Sequence, residues 1–362
     1  MQTKKFLLSF GLISTLTLGT LNTTYAQEQT NNSEKIEYQK KKQMAEDTKY
    51  DNFTLGQAEQ MLFDYFKRHN LSYEIGTSEL RKYLFEQLMY KNDTELKKEP
   101  NYELILDYAA SYLNESEGFE LQQINKQQIS NYSSIDSQKI NSSKFNMNHV
   151  KNKKIKQIKE ENKVTDKQIN KSLTTPKYVI PSEGGFSVNT AVSYAKRNAY
   201  TKENDKYGYY NGDGDCTNFV SQVIEAGGKS INRPYHVNAN TPNIWDTTSY
   251  WYNGIWITHP NGPKFRKATT SWIRVSHFYE YWSQRVRTFE TYSPMTIGRG
   301  SKTGDVIQYK RSRTGQMWHT TFVTGKASDG ETYITQHSDP KLNQPIVLPN
   351  DSSYYILKFS EL

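Results

Sequence analysis

The stretch from Gly212 to Gly228 constrains this chain more than any other, because it packs a helix start, an apolar helical face, a helix stop and the chain's single cysteine into seventeen residues. Phe219, Val220, Val223 and Ile224 recur at helical spacing behind Asp215, a residue suited to an N-cap, and the pair Gly227-Gly228 suits the stop. A helix is therefore expected over residues 217–226, with Cys216 at or just inside its N-terminus. Unpaired backbone N–H groups and the positive end of the helix dipole stabilise a thiolate at such a position, lowering the thiol pKa from its ordinary value of about 8.5. A free cysteine is commonly a small buried hydrophobe. Here its neighbours are Asp215 and Thr217, and glycines stand nearby, which favours a reactive thiol open to an approaching substrate.

A thiolate nucleophile needs a base, and the base needs a group that holds its tautomer. The C-terminal part offers His236, His259, His277, His319 and His337. The first two fall in Asn-, Pro- and Gly-rich segments, and His277 sits on an expected helix, so each reads as a surface or packing residue. His319 begins an alternating run just after Gly304-Asp305-Val306-Ile307-Gln308-Tyr309, and a strand fixes a side chain rigidly. A hairpin partner over residues 331–337, across Asp329-Gly330, can bring Gln336 or His337 beside it. Register decides between these two, since a shift of one residue exchanges the faces. His337 reads equally well as a histidine behind the site or on the surface.

The rest of the chain falls into segments of different character. Lys4 and Lys5, an apolar run from Phe6 to Leu21, and Thr24-Tyr25-Ala26 have the layout of a signal peptide over residues 1–26. Nothing later approaches the ~18 consecutive apolar residues of a membrane span, so a secreted or wall-associated protein is expected after cleavage. Residues 27–52 read as a disordered lead. Three amphipathic helices are expected over residues 53–116: one behind Thr54, one starting near Thr77 or Ser78, and one after Pro100 with Ile105, Tyr108, Ala109 and Tyr112 on a face. They read as a structural or regulatory subdomain, or as a wall-binding module. Residues 117–177, rich in Asn, Gln, Ser and Lys, have linker composition; Lys151, Lys153, Lys154, Lys156 and Lys159 would either touch an anionic polymer or be a solvated spacer. A mean hydropathy of -0.85 agrees with part of the chain lying outside any core.

Residues 178–362 carry all six Trp, with helices first and strands dominant after Gly304, which indicates an α+β domain. A net charge of +8 favours an anionic wall polymer as a contact. Nucleic acid is not expected, because the lysines cluster in the linker and no nucleic-acid motif is present. With no His-Glu-x-x-His and no paired cysteines, no metal or organic cofactor is expected either. The segment Ile231 to Phe265, dense in Tyr, Trp and Asn, either lines a cleft or covers the core.

Asp215-Cys216-Thr217-Asn218-Phe219-Val220-Ser221-Gln222 with Gly227-Gly228, the strand from Gly304-Asp305, His319, and Thr335-Gln336-His337-Ser338 together resemble the bacterial putative amidase domain family. That family is similar in pattern to the NlpC/P60 and CHAP cysteine hydrolases. Ala191, Tyr194, Ala195, Tyr207 and Ser271-Trp272 fit as well, and the resemblance covers roughly residues 185–345. It implies a papain-like fold, a Cys-bearing helix packed against a His-bearing strand, and action on peptidoglycan amide bonds, either as an amidase or as a stem-peptide endopeptidase. Across the related groups the third catalytic position varies, so both Gln336 and His337 stay candidates. In this reading His319 activates Cys216, an acyl-enzyme forms, and the oxyanion is held by the Cys216 backbone N–H and a donor the sequence does not name. The competing readings are a non-catalytic wall-binding or host-facing module and a secreted cysteine protease acting on proteins.

Overall fold

A computed structural model describes residues 35–130, 145–174, 185–201, 204–208, 215–258 and 264–362. The expected signal peptide, the first residues of the lead, and segments 131–144 and 175–177 of the expected linker lie outside the described residues.

Helices open the chain: α1 over residues 35–46, α2 Leu55–Arg68, α3 Ser78–Tyr90, α4 Tyr102–Ser130 and α5 Ile155–Thr174. The C-terminal half begins with α6 Val188–Asn198 and α7 Cys216–Ala226 and continues through β1 Ile244–Trp245, β2 Ile255–Thr258 and β3 Lys264–Thr269. Then come α8 Thr270–Ile273, α9 Val275–Trp282, β4 Thr288–Thr291 and α10 Pro294–Gly300. Strands close it: β5 Val306–Arg311, β6 Met317–Lys326, β7 Thr332–Gln336, β8 Lys341–Pro345 and β9 Ser352–Leu357. The local signals explain the starts. Thr54 and Gln57 bond each other's backbone N–H at 3.2 and 2.8 Å, a capping box that opens α2. Thr77 caps α3, which stops at Lys91 in a left-handed conformation.

Six strands form one antiparallel sheet in the order β4-β9-β5-β6-β7-β8, and β1-β3-β2 form a small second sheet. The central strands β5 and β9 are buried at every residue, which requires cover on both faces. On one face Val306, Phe322, Tyr355 and Leu357 join Phe219, Val220 and Val223 of α7 and Phe278 of α9 in a single core. On the other, Ile307, Tyr309, Val323, Ile334 and Ile356 join Leu62 and Phe66 of α2, Leu84 and Leu88 of α3, and Leu104 and Tyr108 of α4. The α+β class is as expected, but the architecture is a sheet between two helical layers.

Several expectations are corrected by this packing. The N-terminal helices are not a bundle set apart by a linker, because the back of the sheet needs their apolar face. The third helix does not end near residue 116 but runs to Ser130. Phe145, Met147, Val150, Ile155 and Ile158, in the stretch read as linker, are buried in the same core. Lys159, read either as a contact for an anionic polymer or as part of a solvated spacer, is 6% exposed and donates to Asp51 at 2.7 Å. Similarly, residues 35–46 of the lead are helical, and Lys41 is buried with its ammonium on the Tyr292 carbonyl. Few apolar residues sufficed for docking because the lysine stems and tyrosine rings contribute contact area of their own.

Candidate active site

Cys216 is the first residue of α7, as its sequence position implied. Asp215 precedes it in the N-cap place, yet its side chain makes no capping bond. It turns inward, accepting from Asn218 Nδ2 at 2.8 Å and pairing with His337 Nδ1. The other polar residues of the motif pin the helix: Asn218 Oδ1 accepts from Trp272 Nε1 at 3.0 Å, Ser221 donates to the Trp272 carbonyl at 2.8 Å, and Tyr194 donates to Gln222 at 2.8 Å. Gly227 caps the far end, and Gly228 adopts a φ of +108°, open to glycine at low cost.

His319 lies on β6 opposite Tyr309 of β5, two residues past the strand start rather than at it. The next residue along, Thr320, offers its backbone N–H to the Cys216 sulfur, and its hydroxyl is 3.1 Å from that of Thr217. The helix start and the histidine strand therefore meet. His319 Nε2 stands 2.9 Å from Gln336 Oε1. Gln336 in turn donates through its amide nitrogen to the Asp339 carbonyl at 3.1 Å and the Ser338 carbonyl at 3.4 Å, which assigns its oxygen to the histidine side. That oxygen can only accept, so the imidazole proton sits on Nε2 and Nδ1 is left with a bare lone pair. Among the described residues Nδ1 has no hydrogen-bond partner although it is buried.

Register thus separates the two candidates. Gln336, the last residue of β7, meets His319. His337 lies one residue past the strand and points the other way, stacked on Phe219 with ring centroids 4.1 Å apart and bonded to Asp215 and to the Asn198 carbonyl at 2.9 Å. His277 is on α9 as expected, with Nδ1 2.7 Å from the Thr270 hydroxyl, and burial holds its pKa down near 4. The described part of the Ile231–Phe265 segment covers core: Trp251 is fully buried with its ring 4.3 Å from that of Trp272. Among the described residues no group of three or more His, Cys, Asp or Glu could hold a metal ion, and no helix is long and apolar enough to cross a membrane.

The helix start does not by itself give an ionised sulfur here. Cys216 is 1% exposed, and burial pushes its thiol pKa up; the Thr320 N–H, the Thr217 hydroxyl and the Arg81 charge pull only partly the other way. Burial likewise pushes the His319 imidazole down to about 4, with Phe85, Tyr309 and Trp318 around its ring. At neutral pH the pair is thiol and neutral imidazole.

Sequence reasoning missed Glu117. Its Oε1 lies 3.6 Å from the Cys216 sulfur, and its Oε2 accepts from the Val275 backbone N–H at 3.1 Å. Burial, then the nearby Cys216, raises its carboxyl pKa well above the usual range, which favours the protonated form. A signal was present: Ile105, Ala109 and Leu113 mark a helical face that Glu117 continues, and an acidic residue on an apolar face needs a buried partner.

An α+β domain with a cysteine at a helix start, beside a strand histidine whose ring is held by a glutamine, is the frame in which comparison with known proteins falls. Residues 186–357 match the family model described as "Putative amidase domain", a match that supports a hydrolase acting on amides. The chain is 31% identical over 205 residues to the uncharacterized protein YjcM of Bacillus subtilis (strain 168), an alignment covering 54% of this chain and 42% of that protein. The chain thus matches less than half the length of this relative. No solved structure matches it.

Proposed function

We propose that this protein is a cysteine-dependent amide hydrolase whose substrate is peptidoglycan, with Cys216 as nucleophile, His319 as base and Gln336 as the group that orients the base. The observation that carries the reading is the ring of His319: one nitrogen is fixed by Gln336, the other is unpartnered, and the following residue, Thr320, touches the Cys216 sulfur. His319 Nδ1 takes the thiol proton, and the sulfur attacks the amide carbonyl carbon. The tetrahedral oxyanion is stabilised by backbone donors at the start of α7, a contribution of about 3 to 4 kcal/mol for each well-placed donor. Collapse breaks the C–N bond, the proton passes from Nδ1 to the departing amine, and a thioester remains. Water, deprotonated by the same nitrogen, hydrolyses the thioester and restores the thiol. No step calls for a metal or an organic cofactor.

The Cys-bearing helix against the His-bearing strand also supports a papain-like lineage akin to NlpC/P60 and CHAP hydrolases, as part of the same proposal. The peptidoglycan substrate and secretion rest on the sequence, through the leader layout, the net charge of +8 and the family resemblance. The test is incubation of the purified chain with peptidoglycan, followed by mass spectrometry of new termini. New muramyl or stem-peptide ends that vanish in Cys216→Ala are expected. Ends that persist in that variant would sink the cysteine mechanism, and cleavage confined to added proteins would move the substrate to polypeptides.

A further inference from the structure

The Cys216 centre is closed, and the residues that close it come from the N-terminal helices. Arg81 and Phe85 of α3 and Glu117 of α4 are each 3% exposed or less, as are Cys216, His319 and Gln336. The Phe85 ring lies edge-on to His319 with centroids 5.1 Å apart, and Arg81 Nη2 stands 4.0 Å from Glu117 Oε1. Glu117 fills the space between the Cys216 sulfur and the start of α9. One carboxyl oxygen is against the sulfur, and the other takes the backbone N–H of Val275 at the start of α9. A carboxyl group so held looks like the acid product of an amide hydrolase seated in its own site.

The first half of the helix that carries it is anchored to the C-terminal half of the chain. Asn114, three residues before Glu117, accepts from Ser276 at 3.4 Å through its side chain and from Arg274 at 3.5 Å through its carbonyl. Glu103 and Asp107, nearer the helix start, both bond Arg311 of β5.

From this geometry we infer that α3 and α4 form a built-in inhibitor of the Cys216 centre, with Glu117 seated as a product-like plug that must leave before substrate can enter. The inference rests on Cys216 being the nucleophile. Withdrawal of Glu117 frees the Val275 N–H for the substrate carbonyl oxygen, supplying the second oxyanion donor that the sequence left unnamed.

The full-length chain tests this through the rate of iodoacetamide alkylation of Cys216, because a thiol behind a plug reacts only from the opened population. Glu117→Ala is expected to raise that rate by about tenfold or more, the factor that follows when a modest part of the closing free energy is lost. Glu117→Gln, which keeps the shape of the neutral acid, is expected to stay near wild type. Because Glu117→Ala could fail to fold, the wild-type chain is also alkylated over a series of low urea concentrations. Labelling that accelerates before the global unfolding transition supports a plug that lifts as a unit. Wild-type labelling at the rate of a free thiol, or acceleration only with global unfolding, overturns it, as does a folded Glu117→Ala chain that labels no faster. The same samples incubated with peptidoglycan separate this inference from the hydrolase reading. Faster alkylation without new wall termini keeps the plug over Cys216 and removes peptidoglycan as the substrate, whereas equal digestion by wild type and Glu117→Ala keeps the hydrolase and removes the plug.

Discussion

At the residue scale, the imidazole of His319 depends on Gln336 in a way that can be tested. The Gln336 oxygen places the ring proton on Nε2, so a side chain that cannot accept there leaves the tautomer unset and a buried N–H without a partner. Gln336→Leu is expected to lower the hydrolysis rate by roughly 10- to 100-fold, the span of about 1–3 kcal/mol for a buried donor left unpaired. Gln336→Glu can still accept and is expected to retain more activity. Initial rates on peptidoglycan, read against thermal midpoints, check this, and equal losses in the two variants would remove the orienting role. His337 sits in a different arrangement. Its bond to the buried carboxylate of Asp215 ties the end of β7 to the start of α7, so His337→Ala should cost stability, about 1–3 kcal/mol by urea unfolding. The sulfur itself makes a pH prediction. Burial raises the Cys216 pKa, so alkylation of the intact wild-type chain should climb only as pH passes above the ordinary thiol range, and a profile centred well below that range would contradict the closed site.

At the element scale, α4 carries Glu117 to the Cys216 sulfur, and the residue to disturb is Arg311, which ties this helix to the sheet. Its guanidinium is wholly buried and bonds Asp107 at 2.9 Å, Glu103 and Asp351, so three carboxylates from two layers share one cation. Arg311→Ala leaves the wholly buried Asp107 with only Arg313 beside it at 3.4 Å, and a cost of about 3 kcal/mol is expected, measured as the shift in urea unfolding free energy. A loss under 1 kcal/mol would mean that the layers are held by their apolar contacts alone. How legible such elements were in the sequence depended on where their partners lie. α2, α3 and α7 were readable because Thr54, Thr77 and the glycine pair at residues 227–228 act within a few residues of themselves. The choice between Gln336 and His337 was not, since it turns on pairing of β7 with β6 and a bulge between Val323 and Gly325 that shifts the register. Nor was the extent of α4. Its second half is polar, so composition reads it as linker. Yet Asn114 and Glu117 are polar because they meet Ser276, Arg274, Cys216 and Val275, residues about 100 to 160 positions away. Long-range polar contacts leave no local periodicity to find.

At the scale of the whole molecule, one sheet serves two helical layers, and the ionisable groups trapped between them oppose one another across the same pH window. Burial raises the Asp107 carboxyl to about 6 from 3.8, against the pull of Arg311 and Arg313. Its folded form therefore holds a proton that the unfolded chain has already released, so its contribution to stability is complete below pH 3.8 and is lost as pH climbs through about 6. His319 runs the other way. Burial depresses it from 6.5 to about 4, so its contribution is complete above pH 6.5 and is lost as pH falls through about 4. Removing either group should unmask the other. Asp107→Asn no longer gives up stability on the alkaline side, so relative to wild type it should improve as pH rises from about 4 to about 7. His319→Gln no longer resists protonation, so relative to wild type it should improve as pH falls over the same range. Urea unfolding of the three chains at the two ends of that range is the measurement. Parallel shifts of both variants with pH would show that neither group is buried between the layers in solution, and with that the two-layer closure of the sheet would lose its support.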